Sequence, residues 1–454
     1  MRLGSALLGD RRRFAFGFRR EAKSCGLLVG LFGVVFIGFS QTASAQDRPT
    51  VHVSTVARTV ALALSRLRLP EAVLRNAAQG TAMKTMLRLC SVLAAFLLGH
   101  APTAFAHWPD QAPHQIAHLG EFKLEGGGVL KDLKISYVTH GKLNAAKNNA
   151  ILFQHGFALN HHQFDHMIGP GRPLDTDKYF IICPDALGET QTGFEHSSSP
   201  TNSGLKMKFP FYNERDMVKA QYRLITETLG ISHLLAVTGI SRGSDQSVQF
   251  AVSYPDFMDG IFPIVGGAVW GTQGRFFMPL MISIIESCEG WDGGNYDENP
   301  KRCASNALSV LIPYCYTREW WDQYVDTPEA YTKWRNNWGD YYLDVQDARD
   351  LYYRAMALGR SWVGDTPGFN GDLNAALGSI KAKTLFIYNP RDQFHLPHHI
   401  ETQVKAIPNA RAVAIDSIAG HLICCNADPQ ATWALGEAIR EYLRELSAPR
   451  RATR

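Results

Sequence analysis

The chain has 454 residues, 45% of them hydrophobic and 19% charged, which suffices for a large buried core and does not fit a disordered chain or a repeat array. Its formal charge of +4 is unevenly spread: residues 1–106 carry 14 basic and 4 acidic residues, the remainder 32 basic and 38 acidic. A basic surface for nucleic acid is therefore not expected on the main body of the chain. The basic front end reads as targeting sequence rather than structure. The stretch "MKTMLRLCSVLAAFLLGHAPTAFA", Met83–Ala106, has a Lys84 and Arg88 n-region, an apolar core too short to span a bilayer, and a small-residue site at Ala104 and Ala106. A similar pattern lies upstream, around "CGLLVGLFGVVFIGFS". Two export signals in series make little sense, so translation is expected to start at Met83. Residues 1–82 are then an upstream extension or leader, 83–106 a signal peptide, and 107–454 the mature protein, periplasmic or secreted and without a membrane span.

The mature chain opens with "FKLEGG" and "LKISYVTHGKL", joined by Gly126–Gly128, which read as an antiparallel hairpin. The strand-like runs "AILFQHG", "YFIICPDALG", "HLLAVTGIS", "GIFPIVGG", "TLFIYNP" and "RAVAID" then alternate with helical stretches. Continuous apolar strands of this kind imply an α/β fold with a mostly parallel sheet covered on both faces. Between Trp270 and about Gly378 the alternation stops, and seven of the nine tryptophans fall there. This segment is expected to be an inserted helical lid over the C-terminal strand ends, where open α/β sheets place their sites.

Within "VTGISRGSDQ", Ser241 sits at a strand-to-helix turn between Gly239 and Gly243. Such a turn pinches the serine into strained backbone, and only small neighbours let strand and helix approach closely. A carboxylate after a later strand, Asp392, and a histidine after the last strand, His421, follow in the order that a nucleophile elbow requires. A serine hydroxyl is a poor nucleophile at neutral pH. His421 would take its proton, and Asp392 would fix the imidazole tautomer. The oxyanion donors are expected to be the backbone N–H groups of Arg242, after the nucleophile, and Phe157, in the loop after "AILFQHG".

Other groups carry less. His162 and His166 have the spacing of two metal ligands on a helix, but no third well-placed ligand is evident, and neither metal nor cofactor is expected. "FHLPHH", with His395, His398 and His399, reads as a solvated loop beside the acid, and Arg242 as a surface partner of Asp245 or Glu195 or a clamp for a substrate anion. Six cysteines remain after the leader, allowing 15 full pairings; Cys288–Cys303 is the expected bridge and Cys183 a buried thiol.

The segments "YVTHGKLN", "NNAILFQHGF", "MIGPGRPLDTDKYFIICPDALG", "FPFYNERDMVKAQYRLITETLGI", "WDGGNY" and those around Ser241, Asp392 and His421 resemble the homoserine O-acetyltransferase family of α/β-hydrolase-fold proteins. The resemblance covers nearly the whole mature chain. It implies an acyl-enzyme formed on Ser241 with help from His421 and Asp392. The chain departs from the family in having Leu422 where an aspartate follows the catalytic histidine, Arg242 where methionine follows the serine, and no arginine just upstream of "WDGGNY", Arg275 being the nearest. Those departures remove the family's contacts to an amino-acid substrate. The leading expectation is an exported serine hydrolase cleaving a small ester; the alternatives are an O-acyltransferase with the same residues and a non-catalytic binding protein. The partner is thus a small-molecule ester or acyl substrate, and a homodimer is compatible with the sequence.

Overall fold

The structure, a computed structural model, describes residues 111–448 except 190–195, 270, 301, 339–341 and 344, and leaves out the side chains of 272–275 and 338. The leader, the signal peptide and the expected mature start at His107 lie outside the described residues. The described residues form an eight-stranded sheet of β1 (Gln115–His118), β2 (Lys134–His140), β3 (Ala150–Gln154), β4 (Phe180–Pro184), β5 (Leu234–Ile240), β6 (Met258–Ile264), β7 (Lys383–Tyr388) and β8 (Ala410–Ala414), in the order β1-β2-β4-β3-β5-β6-β7-β8. The pairs β1/β2 and β2/β4 are antiparallel, and every pair from β4 to β8 is parallel.

The helices of ten residues or more are α1 (Glu214–Arg223), α2 (Arg242–Ser253), α3 (Thr272–Glu286), α4 (Pro328–Trp338), α5 (Ala348–Gly359), α6 (Pro397–Ala406) and α7 (Pro429–Ser447). Alternation along the strands sorts the core into two layers. Ile151 and Phe153 of β3 join Ile181 of β4, Ile264 of β6 and the Leu435–Ile439 face of α7 on one side. Ala150 and Leu152 join Val218 of α1, Val248 and Val252 of α2 and Ile400 of α6 on the other. Burial on both faces is why these strands read as unbroken apolar runs.

The hairpin differs from expectation. Phe122–Lys123 pairs with Val129–Leu130, while "LKISYVTHGKL" pairs instead with β1 and β4. The short ribbon closes within the glycine turn, and β2 is drawn into the sheet because Ile135 and Val138 are fully buried there. Between β6 and β7 the described chain is helical, with its own apolar cluster around Phe277, Met281, Leu308 and Leu351. Cys288 is disulfide-bonded to Cys303, tying the end of α3 to the next helix. The final helix of the segment, Leu373–Gly378, turns back to the main core through Ala376 and Leu377. No helix among the described residues is long and apolar enough to cross a membrane.

Candidate active site

Ser241 lies between β5 and α2 with φ 54° and ψ −117°, a left-handed backbone that a residue with a side chain adopts at a cost. Its N–H donates to the Ile264 carbonyl at 2.9 Å, and Ser244 Oγ, donating to the Gly239 carbonyl at 2.8 Å, ties the turn to β5. A Cβ at Gly239 would fall on the Gly243 carbonyl, and one at Gly243 on the Gln154 carbonyl of β3, so both positions need glycine for close approach rather than for dihedral freedom. Arg242 opens α2, in the first turn, where N–H groups have no intrahelical acceptor.

Asp392 follows β7 and His421 sits on a short turn, Gly420–Cys424, beyond β8. His421 Nδ1 lies 2.7 Å from Asp392 Oδ2, while Oδ1 accepts the N–H groups of Phe394 at 2.8 Å and His395 at 3.2 Å. Burial would raise the Asp392 carboxyl, but the His421 ring, through charge and hydrogen bond, outweighs it and holds the carboxyl below its ordinary value. His395, expected in a solvated loop, is instead fully buried, its ring nearly parallel to that of His421 at 5.9 Å. Burial pushes it down to about 4, so it is neutral at pH 7. It is a second imidazole beside the acid that sequence reading assigned to solvent, because it lies in the histidine-rich stretch "FHLPHH".

Ser241 and His421 open onto one cavity of about 490 Å³. Its walls include Phe157, Tyr316, Tyr342, Phe394 and Leu422, with no Asp, Glu, Lys or Arg among the described lining residues. Leu311, Cys315, Tyr316 and Tyr342 come from the helical segment between β6 and β7, which thus forms part of the wall. A second cavity of similar size, between α1, α2 and the end of α5, shares no lining residue with it.

The Phe157 loop is held from several sides. Gly156 N–H donates to Gln163 Oε1 at 2.5 Å, the Phe157 carbonyl accepts from Tyr342 Oη at 3.3 Å, and the Ala158 carbonyl from Gln346 Nε2 at 2.9 Å. The Phe157 ring lies 5.8 Å from the Arg242 guanidinium and 5.9 Å from that of Arg354. Both arginines are buried and matched by buried carboxylates: Arg242 Nε donates to Glu214 Oε1 at 2.7 Å and its Nη1 lies 3.8 Å from Glu189, which Arg354 also contacts. Arg242 is therefore not a surface residue, and its charge is answered by Glu214 and Glu189 rather than offered to a substrate. This four-residue network escaped sequence reading. Its trace in the sequence was a carboxylate, Glu214, inside the "FPFYNERDM" stretch at the start of a helix whose buried face also holds Met217, Val218 and Ala220.

Two further motifs find partners close by. His162 Nδ1 lies 2.7 Å from Asp165, and among the described residues no group of three or more His, Cys, Asp or Glu is arranged to hold a metal ion. In "WDGGNY", Tyr296 Oη donates to Asp347 Oδ1 at 2.8 Å and its ring stacks under Arg349 at 4.1 Å, so the motif anchors the helical segment.

A serine at a strained strand-to-helix turn, a histidine paired with a buried carboxylate, and an eight-stranded, mostly parallel sheet together define an α/β hydrolase. Residues 149–427 match the model of the alpha/beta hydrolase fold family, and the chain belongs to that family, within its homoserine O-acetyltransferase branch. It is 31% identical to a homoserine O-acetyltransferase of Methanococcoides burtonii over 63% of this chain, spanning 64% of that relative's length. It is 30% identical to an ethyl acetate hydrolase of Pseudomonas veronii over 74% of this chain and 96% of the relative. An acetylester hydrolase structure from Corynebacterium glutamicum superposes with a TM-score of 0.68 at 28% identity, covering 73% of this chain and 96% of the other. The chain is thus an enzyme of the esterase or O-acyltransferase kind.

Proposed function

We propose that the protein is an exported serine hydrolase that cleaves small uncharged esters through an acyl-enzyme on Ser241. His421 acts as general base and then general acid. Asp392 orients it and stabilises the imidazolium, and the N–H groups of Phe157 and Arg242 receive the oxyanion. The observation that carries this reading is the 2.7 Å pairing of His421 with Asp392 on the rim of a cavity that also holds Ser241. The lack of Asp, Glu, Lys and Arg among the described lining residues supports water over an amino-acid acceptor. A homoserine zwitterion would bring a carboxylate and an ammonium to Leu422 and aromatic rings, and unpaired buried charge is costly.

The second reading, O-acyl transfer, is favoured by the Methanococcoides burtonii relative and uses the same residues. The two are separated by product analysis with p-nitrophenyl acetate as donor, with and without homoserine. Free acetate, unaffected by homoserine, is the expected result; efficient O-acetylhomoserine formation overturns the hydrolase reading. Ser241→Ala is expected to lower turnover by roughly three or more orders of magnitude with the fold retained. Export rests on the Met83–Ala106 signal. N-terminal sequencing of protein recovered outside the cytoplasm should begin at or near His107.

A further inference from the structure

We propose that Cys424 and Cys425 form an oxidisable dithiol in the wall of the ester cavity, which a hydroperoxide converts to a disulfide that slows the chemistry at His421. The two sulfurs lie 3.2 Å apart, and both residues line the cavity that holds Ser241 and His421. Cys424 is buried and Cys425 is partly open to the cavity, so the pair has one sheltered and one reachable member. Both belong to the turn that carries His421: Cys424 is the last residue of Gly420–Cys424, and its Sγ donates to the His421 carbonyl at 3.7 Å.

The local chemistry divides the labour. The sulfur–sulfur contact lowers the Cys425 thiol below its ordinary value, while the same contact, together with burial, raises that of Cys424. Cys425, the member of the pair that is partly open, is therefore the sulfur that meets the oxidant, as its thiolate. Its sulfur attacks one oxygen of hydrogen peroxide; an S–O bond forms, the O–O bond breaks, and hydroxide leaves, taking up the proton that the Cys425 thiol gave up to become water. The Cys424 thiol then attacks the sulfenic sulfur, forming S–S, breaking S–O and releasing a second water that carries the Cys424 proton. Two sulfurs lose two electrons, and one peroxide becomes two waters.

Closing the bond draws the sulfurs from 3.2 Å to about 2 Å across adjacent residues, which re-bends the turn and removes the thiol donor from the His421 carbonyl. A displacement of about 1 Å in a group that must transfer a proton lowers turnover by an order of magnitude or more. Cys315 also lines the cavity but is buried, and burial pushes its thiol up, which keeps it a bystander.

The experiment treats the mature protein with hydrogen peroxide and reads three quantities. Unreduced peptide mapping should show a loss of about 2 Da in the peptide that holds Cys424 and Cys425. Hydrolysis of a short ester should fall about tenfold or more and return on adding dithiothreitol. Labelling of Ser241 by a fluorophosphonate should fall and return in parallel, which keeps the test independent of the preferred ester. Cys425→Ser, with treated activity divided by its own untreated activity, should give a ratio near one, while Cys183→Ser should respond like the parent. A cross-link from Cys315 to Cys425, a disulfide formed with activity and labelling unchanged, or equal loss in Cys425→Ser would each overturn the proposal.

Discussion

At Asp392 two effects oppose one another, and the outcome bears on chemistry. Burial disfavours the charged carboxylate, yet the paired imidazole and two backbone N–H donors stabilise it, so it stays ionised beside His421. Asp392→Asn keeps the shape but offers the wrong partner to Nδ1, and the imidazole then turns its other tautomer toward Ser241. In the proposed mechanism this lowers kcat on a short ester by about 10⁴-fold with little change in the melting temperature. Steady-state kinetics beside a thermal melt checks both halves; full activity in Asp392→Asn would remove Asp392 from its role. The Ser241, Asp392 and His421 positions were legible because each follows an apolar strand and their chain order is restrictive. His395 was not, since a histidine among polar neighbours reads as exposed, whereas its ring is buried beside that of His421.

Among elements, the Phe157 loop and the start of α2 are held by charge that sequence alone does not display. Glu189 and Glu214 on separate segments meet Arg242 and Arg354 only after β5, α1, α2 and α5 are assembled, and such long-range pairings leave no local pattern. Removing one partner strands the other: Glu214→Gln should cost about 3–5 kcal/mol in chemical denaturation, whereas joining it to Arg242→Met should recover much of that loss. Additive costs in this double-mutant cycle would show that the pair is not coupled. The mis-assigned partner of β2 has a similar origin. Alternation told which face of the strand is buried, but the true neighbour, β1, is only four residues long and carries a weak pattern. The Cys288–Cys303 bridge, by contrast, was readable from proximity in sequence. Its separation of 15 residues gives about 3 kcal/mol of constraint on the unfolded chain, so Cys303→Ser should lower stability by about that amount. Unfolding in urea, with and without reductant, measures it.

For the molecule as a whole, the mostly parallel sheet covered on both faces was foreshadowed by its continuous apolar strands, and the helical segment by the break in alternation after β6; the strand order was not. The buried polar groups between those layers were not foreshadowed, and they set the response to acid. His155 is enclosed at the end of β3, its Nδ1 donating to the Gly156 carbonyl at 2.8 Å and its Nε2 accepting from Ala186 N–H at 3.0 Å, which only the neutral ring can do. Burial pushes it down to about 4, as it does His395, against an ordinary 6.5 for both. The sign follows from proton counting. Below pH 6.5 the unfolded chain binds protons on these two rings and the folded chain does not, so stability is full above 6.5 and is lost as pH falls toward 4. Each ring contributes on the order of 3 kcal/mol over that window as an upper limit. Asp392, with its folded value depressed, adds a loss at lower pH, as the carboxyl is protonated in the unfolded chain first. The melting temperature should therefore be level from pH 8 to about 6.5 and then fall steadily to pH 4. His395→Asn, compared by slope rather than by absolute stability, should flatten the fall between 6.5 and 4. A melting temperature unchanged from pH 7 to 4.5 would mean that the folded protein takes up these protons without opening, and that the two rings are not sealed from water.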